Sequence, residues 1–102
     1  MPVQSKEATA LIAATTETVR AFIADRFLFD PGARIEPGQS LIKAGILDST
    51  GAMELVFFLE ETFKIKVADS ELVPQNLDTL RDISAFVHRK LAQGVGAGSP
   101  RA

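Results

Sequence analysis

The sequence has 102 residues, a formal net charge of −2 and no cysteine. A chain of this length forms one small domain, and without cysteine it has neither a disulfide nor a catalytic thiolate nor a cysteine metal ligand. Residues 48–72 carry six acidic and two basic side chains, a local net of −4, which argues against nucleic acid and for basic protein surfaces as partners. We see no secretory signal and no stretch long enough to span a membrane, so we expect a cytoplasmic protein.

The first predicted element is a long helix. Apolar residues recur at helical spacing from about Ser5 to Phe29, and Asp30-Pro31-Gly32 ends the helix. We expect residues 1–4 before it to be flexible.

A long connection follows, from Asp30 to Leu47. Its apolar residues are predicted to be buried anchors: Ile35, Leu41, Ile42, Ile46 and Leu47. Because a loop this long in a small domain is usually functional or pinned, we expect the anchors to pin it across the helix ends. The connection should therefore fix the position of Ser49, which follows it.

The central helix is predicted from Ser49 to about Phe63. Asp48 is suited to be its N-cap, accepting a hydrogen bond from a free N–H of the first turn. The Ser49 hydroxyl then lies where loop becomes helix, near the positive end of the helix dipole. An anionic group esterified there would be electrostatically favoured.

This stretch resembles the prosthetic-group site of the acyl carrier protein family. The shared features are Gly-x-Leu-Asp-Ser at residues 45–49 and a following helix with paired glutamates, and the match covers roughly residues 16–91. The resemblance implies that Ser49 carries 4′-phosphopantetheine, transferred from coenzyme A, whose thiol holds the cargo as a thioester. It also implies that Asp48 is an acidic position on which the modifying transferase depends, and that the protein is a stand-alone carrier.

The outer face of the central helix is predicted to be a docking surface. Two apolar residues lie there among acidic ones, and apolar anchors with a charged rim suit protein recognition. The predicted partner-binding residues are Met53, Glu54, Phe57, Glu60 and Glu61. The expected partners are a phosphopantetheinyl transferase, an acyl- or aminoacyl-loading ligase, and a downstream acyltransferase or synthase.

The segment after the central helix is predicted to be mostly irregular. Lys64–Ala68 should be an extended link, Asp69–Val73 one helical turn stopped by Pro74, and residues 74–77 a loop. Asp78 or Thr79 is then suited to cap the last helix.

The last helix should end at Gln93-Gly94. His88 is predicted to be a solvated residue of this helix, and the Gly-rich residues 94–102 are expected to be disordered. The carrier domain would then be residues 5–93.

The predicted fold is all-α, a bundle of three main helices and a short one. The resemblance implies a small four-helix bundle with a short third helix, and we expect a monomer. A shelter for cargo would lie between the central and last helices. Its predicted lining is Leu55, Phe58, Leu59, Ile65, Leu77, Leu80 and Phe86. Because the phenylalanines would fill that space, we expect a small cavity and a short or polar cargo.

An enzymatic function is disfavoured by the surroundings of Ser49. A serine nucleophile needs a base, the only histidine is His88, and no Gly-x-Ser-x-Gly elbow is present. We predict no catalytic residue and no metal site. The favoured function is an acyl carrier protein of fatty acid, polyketide or other specialised biosynthesis. The alternatives are an aminoacyl or peptidyl carrier loaded by an amino acid ligase, and an unmodified helical interaction module.

Overall fold

The computed structural model describes the backbone of residues 2–101 and the side chains of residues 10–93. Within that range the chain forms four α-helices: α1 Pro2–Leu28, α2 Ser49–Phe63, α3 Pro74–Leu77 and α4 Leu80–Arg101. A 3₁₀ turn, Asp69–Glu71, precedes α3. α4 packs against each of the other three helices. The predicted all-α fold with a short third helix is confirmed.

Both terminal helices extend beyond their predicted ends. α1 begins at Pro2 and α4 continues to Arg101, whereas Met1 and Ala102 lie outside the described residues. Proline suits a first helical turn because the backbone N–H that proline lacks would have no hydrogen-bond partner within the helix at that position. The flexibility expected of residues 1–4 and the disorder expected of residues 94–102 concern motion, which helix bounds do not test, and both stay predictions. No helix, among the described residues, is long and apolar enough to cross a membrane.

One apolar core joins the helices. Its buried side chains are Val19, Ile23, Ala24, Ile35, Leu41, Leu47, Leu55, Val56, Leu59, Ile65, Leu77, Leu80, Ile83, Phe86 and Val87. Burying one side chain of this kind stabilises the fold by about 1.5–3 kcal/mol, so this set dominates the folding free energy. The inward stripe predicted for α2 is part of it.

The residues predicted to line a cargo shelter are instead packed into this core, with one exception. Phe58 lies on the side of α2 that faces α1, and its ring stacks on Phe22 with centroids 4.0 Å apart and an interplanar angle of 11°. The prediction that Phe58 lines a space between the central and last helices was therefore wrong. Phe58 lies about 60° around the helix from Leu55, at the edge of the buried stripe on the side of α1, where it is partly buried and packed against the core.

Two further predictions about the second half of the chain were wrong. Residues 74–77, expected to be a loop, form α3, because Pro74 at the first helical position needs no N–H partner and the Asp78 N–H donates to its carbonyl at 2.9 Å. His88, expected to be solvated, is half-buried, and its Nε2 lies 2.9 Å from the Thr15 hydroxyl of α1. The partner is 73 residues away in sequence, beyond what a helical pattern indicates.

Candidate functional site

The site begins at the N-terminus of α2, where the predicted cap is present. Asp48 has extended backbone angles, and its Oδ1 accepts a hydrogen bond from the Gly51 N–H at 2.8 Å. An N-cap of this kind stabilises a helix by about 1 kcal/mol. Ser49 is the first helical residue, and it is exposed to solvent. The serine is thereby placed on a fixed helix end rather than on a mobile loop.

Gly51 lets α1 approach this first turn closely. A Cβ atom at this position would lie 3.1 Å from Cε1 of Phe27 and 3.3 Å from Asp48 Oδ1. Glycine weakens a helical turn by itself, but here it makes room for the aromatic ring and for the capping carboxylate. The ring of Phe27 in turn meets Phe22 edge-on, with centroids 6.0 Å apart.

An open cleft of about 630 Å³ lies beside Ser49. One wall comes from the connection and the start of α2, and the other comes from the segment that leads into α3. The lining residues are Ile42, Gly45, Leu47, Asp48, Ser49, Ala52, Met53, Leu72, Val73, Pro74 and Leu77. All but two of these are apolar or glycine, so the cleft is an apolar surface with one hydroxyl and one carboxylate at its edge.

The connection is pinned by its apolar anchors, as predicted, but not by all of them. Ile35, Leu41 and Leu47 are buried, whereas Ile46 is half-buried. Ile42 is 46% exposed and lines the cleft, so its prediction as a buried anchor was wrong. Leu41 is fully buried in the core at this turn, and the side chain of the next residue, Ile42, points away from the core.

Polar contacts that the sequence did not reveal add to this pinning. The Asp78 carboxylate accepts hydrogen bonds from the Ser40 hydroxyl, at 2.8 and 2.9 Å, and from the Ile42 N–H at 2.9 Å. The Ser40 oxygen accepts from the Lys43 N–H at 3.0 Å. We call these bonds among Ser40, Ile42, Lys43 and Asp78 the latch. Predicted as a possible helix cap, Asp78 instead holds the turn, and Thr79 caps α4 by accepting from the Asp82 N–H at 3.0 Å.

The outer face of α2 presents the predicted apolar anchors. Met53 is 55% exposed and Phe57 is 65% exposed. Glu61 is also exposed, whereas Oε1 of Glu54 lies 2.8 Å from Nε of Arg26 on α1, an ion-pair contact that is poorly aligned as a hydrogen bond. The face is therefore apolar and acidic with one basic residue at its edge.

Glu60 differs from the other residues of the predicted docking face. Its Oε2 accepts a hydrogen bond from the Val67 N–H at 2.9 Å, and the side chain is half-buried. One carboxylate oxygen therefore holds the link after α2, so a substitution at Glu60 would alter the fold as well as the surface charge. A role for Glu60 in partner contact stays a prediction.

Among the described residues that line the cleft with Ser49 there is no histidine or lysine, and the neighbouring Asp48 carboxylate caps α2 through one oxygen. The single histidine bonds Thr15 at the interface of α1 and α4, and it does not line the cleft. An exposed serine without a base is a poor nucleophile but a suitable acceptor for a group that another enzyme attaches.

Comparisons with known proteins agree with this geometry. The family described as phosphopantetheine attachment site matches residues 17–87. The D-alanyl carrier protein of Streptococcus suis is 34% identical over 71 residues, which cover 70% of this chain and 87% of the relative. That of Streptococcus pyogenes serotype M5 is 44% identical over 45 residues, 44% of this chain and 57% of the relative.

A third relative, the D-alanyl carrier protein of Abiotrophia defectiva, is 35% identical over 48 residues. That match covers 47% of this chain and 61% of the relative. The chain thus spans about three fifths of the length of the Abiotrophia and S. pyogenes relatives, but most of the length of the S. suis relative.

Proposed function

The chain belongs to the phosphopantetheine attachment site family of carrier proteins, and from this premise we propose that Ser49 bears the prosthetic group and that the cargo is a short aminoacyl group. A carrier of this family catalyses no reaction itself. It carries covalently attached phosphopantetheine, whose thiol holds the cargo as a thioester.

The observation that carries the assignment is the position of Ser49. It is exposed, it begins a helix of 15 residues, and it lines the cleft. The other serines with described side chains lack this combination: Ser40 belongs to the latch, Ser84 is fully buried, and Ser70 lies in the 3₁₀ turn. The residues fit a phosphodiester at this position, because the hydroxyl is accessible and the positive end of the α2 dipole favours its charge.

Two observations support a short aminoacyl cargo over a long acyl chain. The three relatives compared above, one of which matches 70% of this chain, are named D-alanyl carrier proteins, which makes an amino acid ligase the expected loading partner. The space between α2 and α4 is occupied by the core, including the fully buried Leu55, Leu59 and Phe86. To enter between α2 and α4, a long acyl chain would have to displace packed side chains, whereas a small cargo needs no space there.

Asp48 has a second role in this proposal. Its Oδ1 accepts the capping bond, and its second carboxylate oxygen has no hydrogen bond within the described part of the chain. We assign that oxygen to recognition by the phosphopantetheinyl transferase. Met53, Phe57 and Glu61 on the same helix would extend the surface that the transferase and the ligase contact.

The test of the attachment site is intact mass after incubation with a phosphopantetheinyl transferase, magnesium and coenzyme A. Wild-type protein should gain one phosphopantetheine, Ser49→Ala should gain none, and Ser70→Ala, which removes an exposed serine elsewhere, should behave as wild type. Asp48→Asn should keep the helix cap, since an amide oxygen can accept the Gly51 bond, but should slow modification by about tenfold. A full mass gain on Ser49→Ala would overturn the assignment.

The test of the cargo uses protein loaded by transfer from D-alanyl coenzyme A or from octanoyl coenzyme A. We expect both loaded forms to differ from the unloaded form only in amide chemical shifts around Ser49 and the cleft. Large shifts of the Leu55 and Phe86 amides in the octanoyl form alone would show that the core opens for an acyl chain, and would favour an acyl carrier over an aminoacyl carrier.

A further inference from the structure

We propose that Asp78 is a positioning residue for the Ser49 site: the latch sets the separation of the two cleft walls and the register of the chain that leads into α2. This inference rests on the proposed function of Ser49. Asp78 lies 29 positions after Ser49 in the chain and does not line the cleft, so it acts through other residues.

The first step is the contact of Asp78 with the turn. Two donors reach its carboxylate, the Ser40 hydroxyl and the Ile42 N–H, and its own carbonyl accepts from the Leu41 N–H at 2.7 Å. The described partners of this carboxylate are thus a hydroxyl and an amide rather than a cation. Hydrogen bonds to a charged acceptor are stronger than those between neutral groups, so the turn is held more firmly than apolar anchors alone would hold it.

The second step carries this restraint along the backbone to the site. The carbonyl of Leu41 accepts hydrogen bonds from the Ile46 N–H at 2.9 Å and from the Leu47 N–H at 3.1 Å. Leu47 precedes Asp48, whose side chain caps α2, and Ser49 follows at once. A short series of hydrogen bonds and peptide bonds therefore connects Asp78 to the serine.

The third step concerns the opposite wall of the cleft. The N–H of Asp78 donates to the Pro74 carbonyl at 2.9 Å, closing α3. Pro74 and Leu77 of this helix line the cleft across from Ile42 and Gly45. Both walls are thus bonded to the same residue, and loss of the carboxylate would remove the Ser40 and Ile42 bonds while the backbone bonds of Asp78 to Leu41 and Pro74 remain, which would loosen one wall against the other.

The experiment compares Asp78→Ala and Asp78→Asn with Thr79→Ala as the matched control. Thr79 is the adjacent residue, and its hydroxyl caps α4 without touching the turn. The readouts are amide hydrogen exchange of Leu47 in the unmodified protein and the separate KM and kcat of phosphopantetheine transfer. The Leu47 amide has no bond to Asp78, so it reports transmission rather than the loss of a direct contact.

We expect Asp78→Ala to lower the exchange protection of Leu47 by about tenfold relative to the core amides and to lower kcat/KM of modification by a similar factor, mainly through kcat. Asp78→Asn, which keeps an oxygen that accepts from the Ile42 N–H, should lower both quantities by about threefold. Thr79→Ala should lower protection uniformly and leave KM and kcat unchanged. Ser40→Ala gives the same readouts if Asp78→Ala does not fold.

Two outcomes would overturn the proposal. The first is that the Asp78 variants, or Ser40→Ala in their place, lower the exchange protection of all amides equally, as Thr79→Ala does. The second is that these variants are modified at the wild-type rate. The exchange readout does not depend on the attachment site. If Leu47 loses protection while Ser49→Ala is still modified in full, the assignment of Ser49 fails and the restraint on the cleft walls stands.

Discussion

Two polar clusters hold this bundle together in different ways. The latch joins a turn to the junction of α3 and α4, and its members are exposed or half-buried. The second cluster, which we call the ladder, joins α1 to α4 through Thr15–His88 at 2.9 Å and Thr16–Ser84 at 2.7 Å. The ladder is deeper, because Ser84 is fully buried and Thr15 is 7% exposed.

The difference in depth implies a difference in function. A buried polar group must keep its partner or lose 1–3 kcal/mol, roughly, so the ladder mainly determines stability. The latch lies at the surface, where water replaces a lost partner, but it borders the cleft beside Ser49. Variants of the ladder should therefore change stability without changing the modification rate, whereas variants of the latch should change the modification rate more than they change stability.

The largest effect is expected from breaking the ladder on one side only. Thr16→Val keeps the shape of the side chain but leaves the buried Ser84 hydroxyl without its partner, which should lower the free energy of unfolding by about 2 kcal/mol. Ser84→Ala should cost less, because the Thr16 hydroxyl still donates to the Ile12 carbonyl at 2.8 Å. Urea denaturation of each variant measures these changes.

The double variant Thr16→Val/Ser84→Ala provides the control. With both hydroxyls removed, the free energy of unfolding should recover most of the way to its wild-type value. The modification rate of all three variants should equal that of wild type. Equal losses for the two single variants, with no recovery in the double variant, would contradict the importance of the buried hydroxyl.

The sequence predicted the helix that carries the site, α2, better than it predicted either polar cluster. The bounds of α2, its Asp48 cap and the exposure of Met53 and Phe57 follow from helical periodicity and capping chemistry, which are local. Both clusters escaped prediction because the bonds that join different elements connect residues 36 to 73 positions apart. Ser, Thr, Asp and His are common on solvated helix faces, so their types alone do not indicate pairing.

The errors about Ile42 and Phe58 have the same origin. Each was assigned from its hydrophobicity, which predicts burial but not the side to which a side chain points. The ring of Phe58 faces Phe22 on α1, and Ile42 lines the cleft. Whether an apolar side chain lies in the core, in a contact between two helices or in a cleft wall depends on how the helices are placed relative to one another.

An intermediate effect is expected from a surface charge that belongs to neither cluster. Glu61→Lys should slow association with a transferase by about threefold at low ionic strength, because Glu61 lies beside Phe57 on the outer face of α2. The free energy of unfolding should stay within 0.5 kcal/mol, roughly, of wild type, as for surface substitutions in general. Stopped-flow association at several salt concentrations measures the rate.

Glu36→Lys provides the matched control, because it makes the same charge change at an exposed position of the connection. It should leave the association rate nearly unchanged. If both variants slow association equally, net charge rather than the outer face of α2 steers the partner, and the docking prediction fails.

The smallest effect is expected at Glu71, which ties the second wall of the cleft to α4. Its Oε1 accepts from the Ala68 N–H at 2.8 Å and lies 2.9 Å from Lys90 Nζ. The Ala68 bond first and Lys90 second hold the pKa of Glu71 below its ordinary value of 4.5. Because the folded-state pKa is the lower one, the contribution to stability is full above about pH 4.5 and is lost as pH falls through the folded-state pKa.

Glu71→Gln should therefore flatten the acid limb of the stability profile. The amide oxygen still accepts from Ala68 but no longer attracts Lys90, so the variant should be slightly less stable at pH 7 and should converge with wild type as pH falls from about 4.5 through the folded-state pKa of Glu71. Asp69→Asn, in the same 3₁₀ turn, controls for removing a negative charge from this segment. Parallel profiles for wild type and Glu71→Gln across this range would mean that the Glu71 carboxylate does not hold the wall beside Leu72, and that the restraint there comes from packing and from the Asn76 side-chain amide, which donates to the Glu71 carbonyl at 2.9 Å.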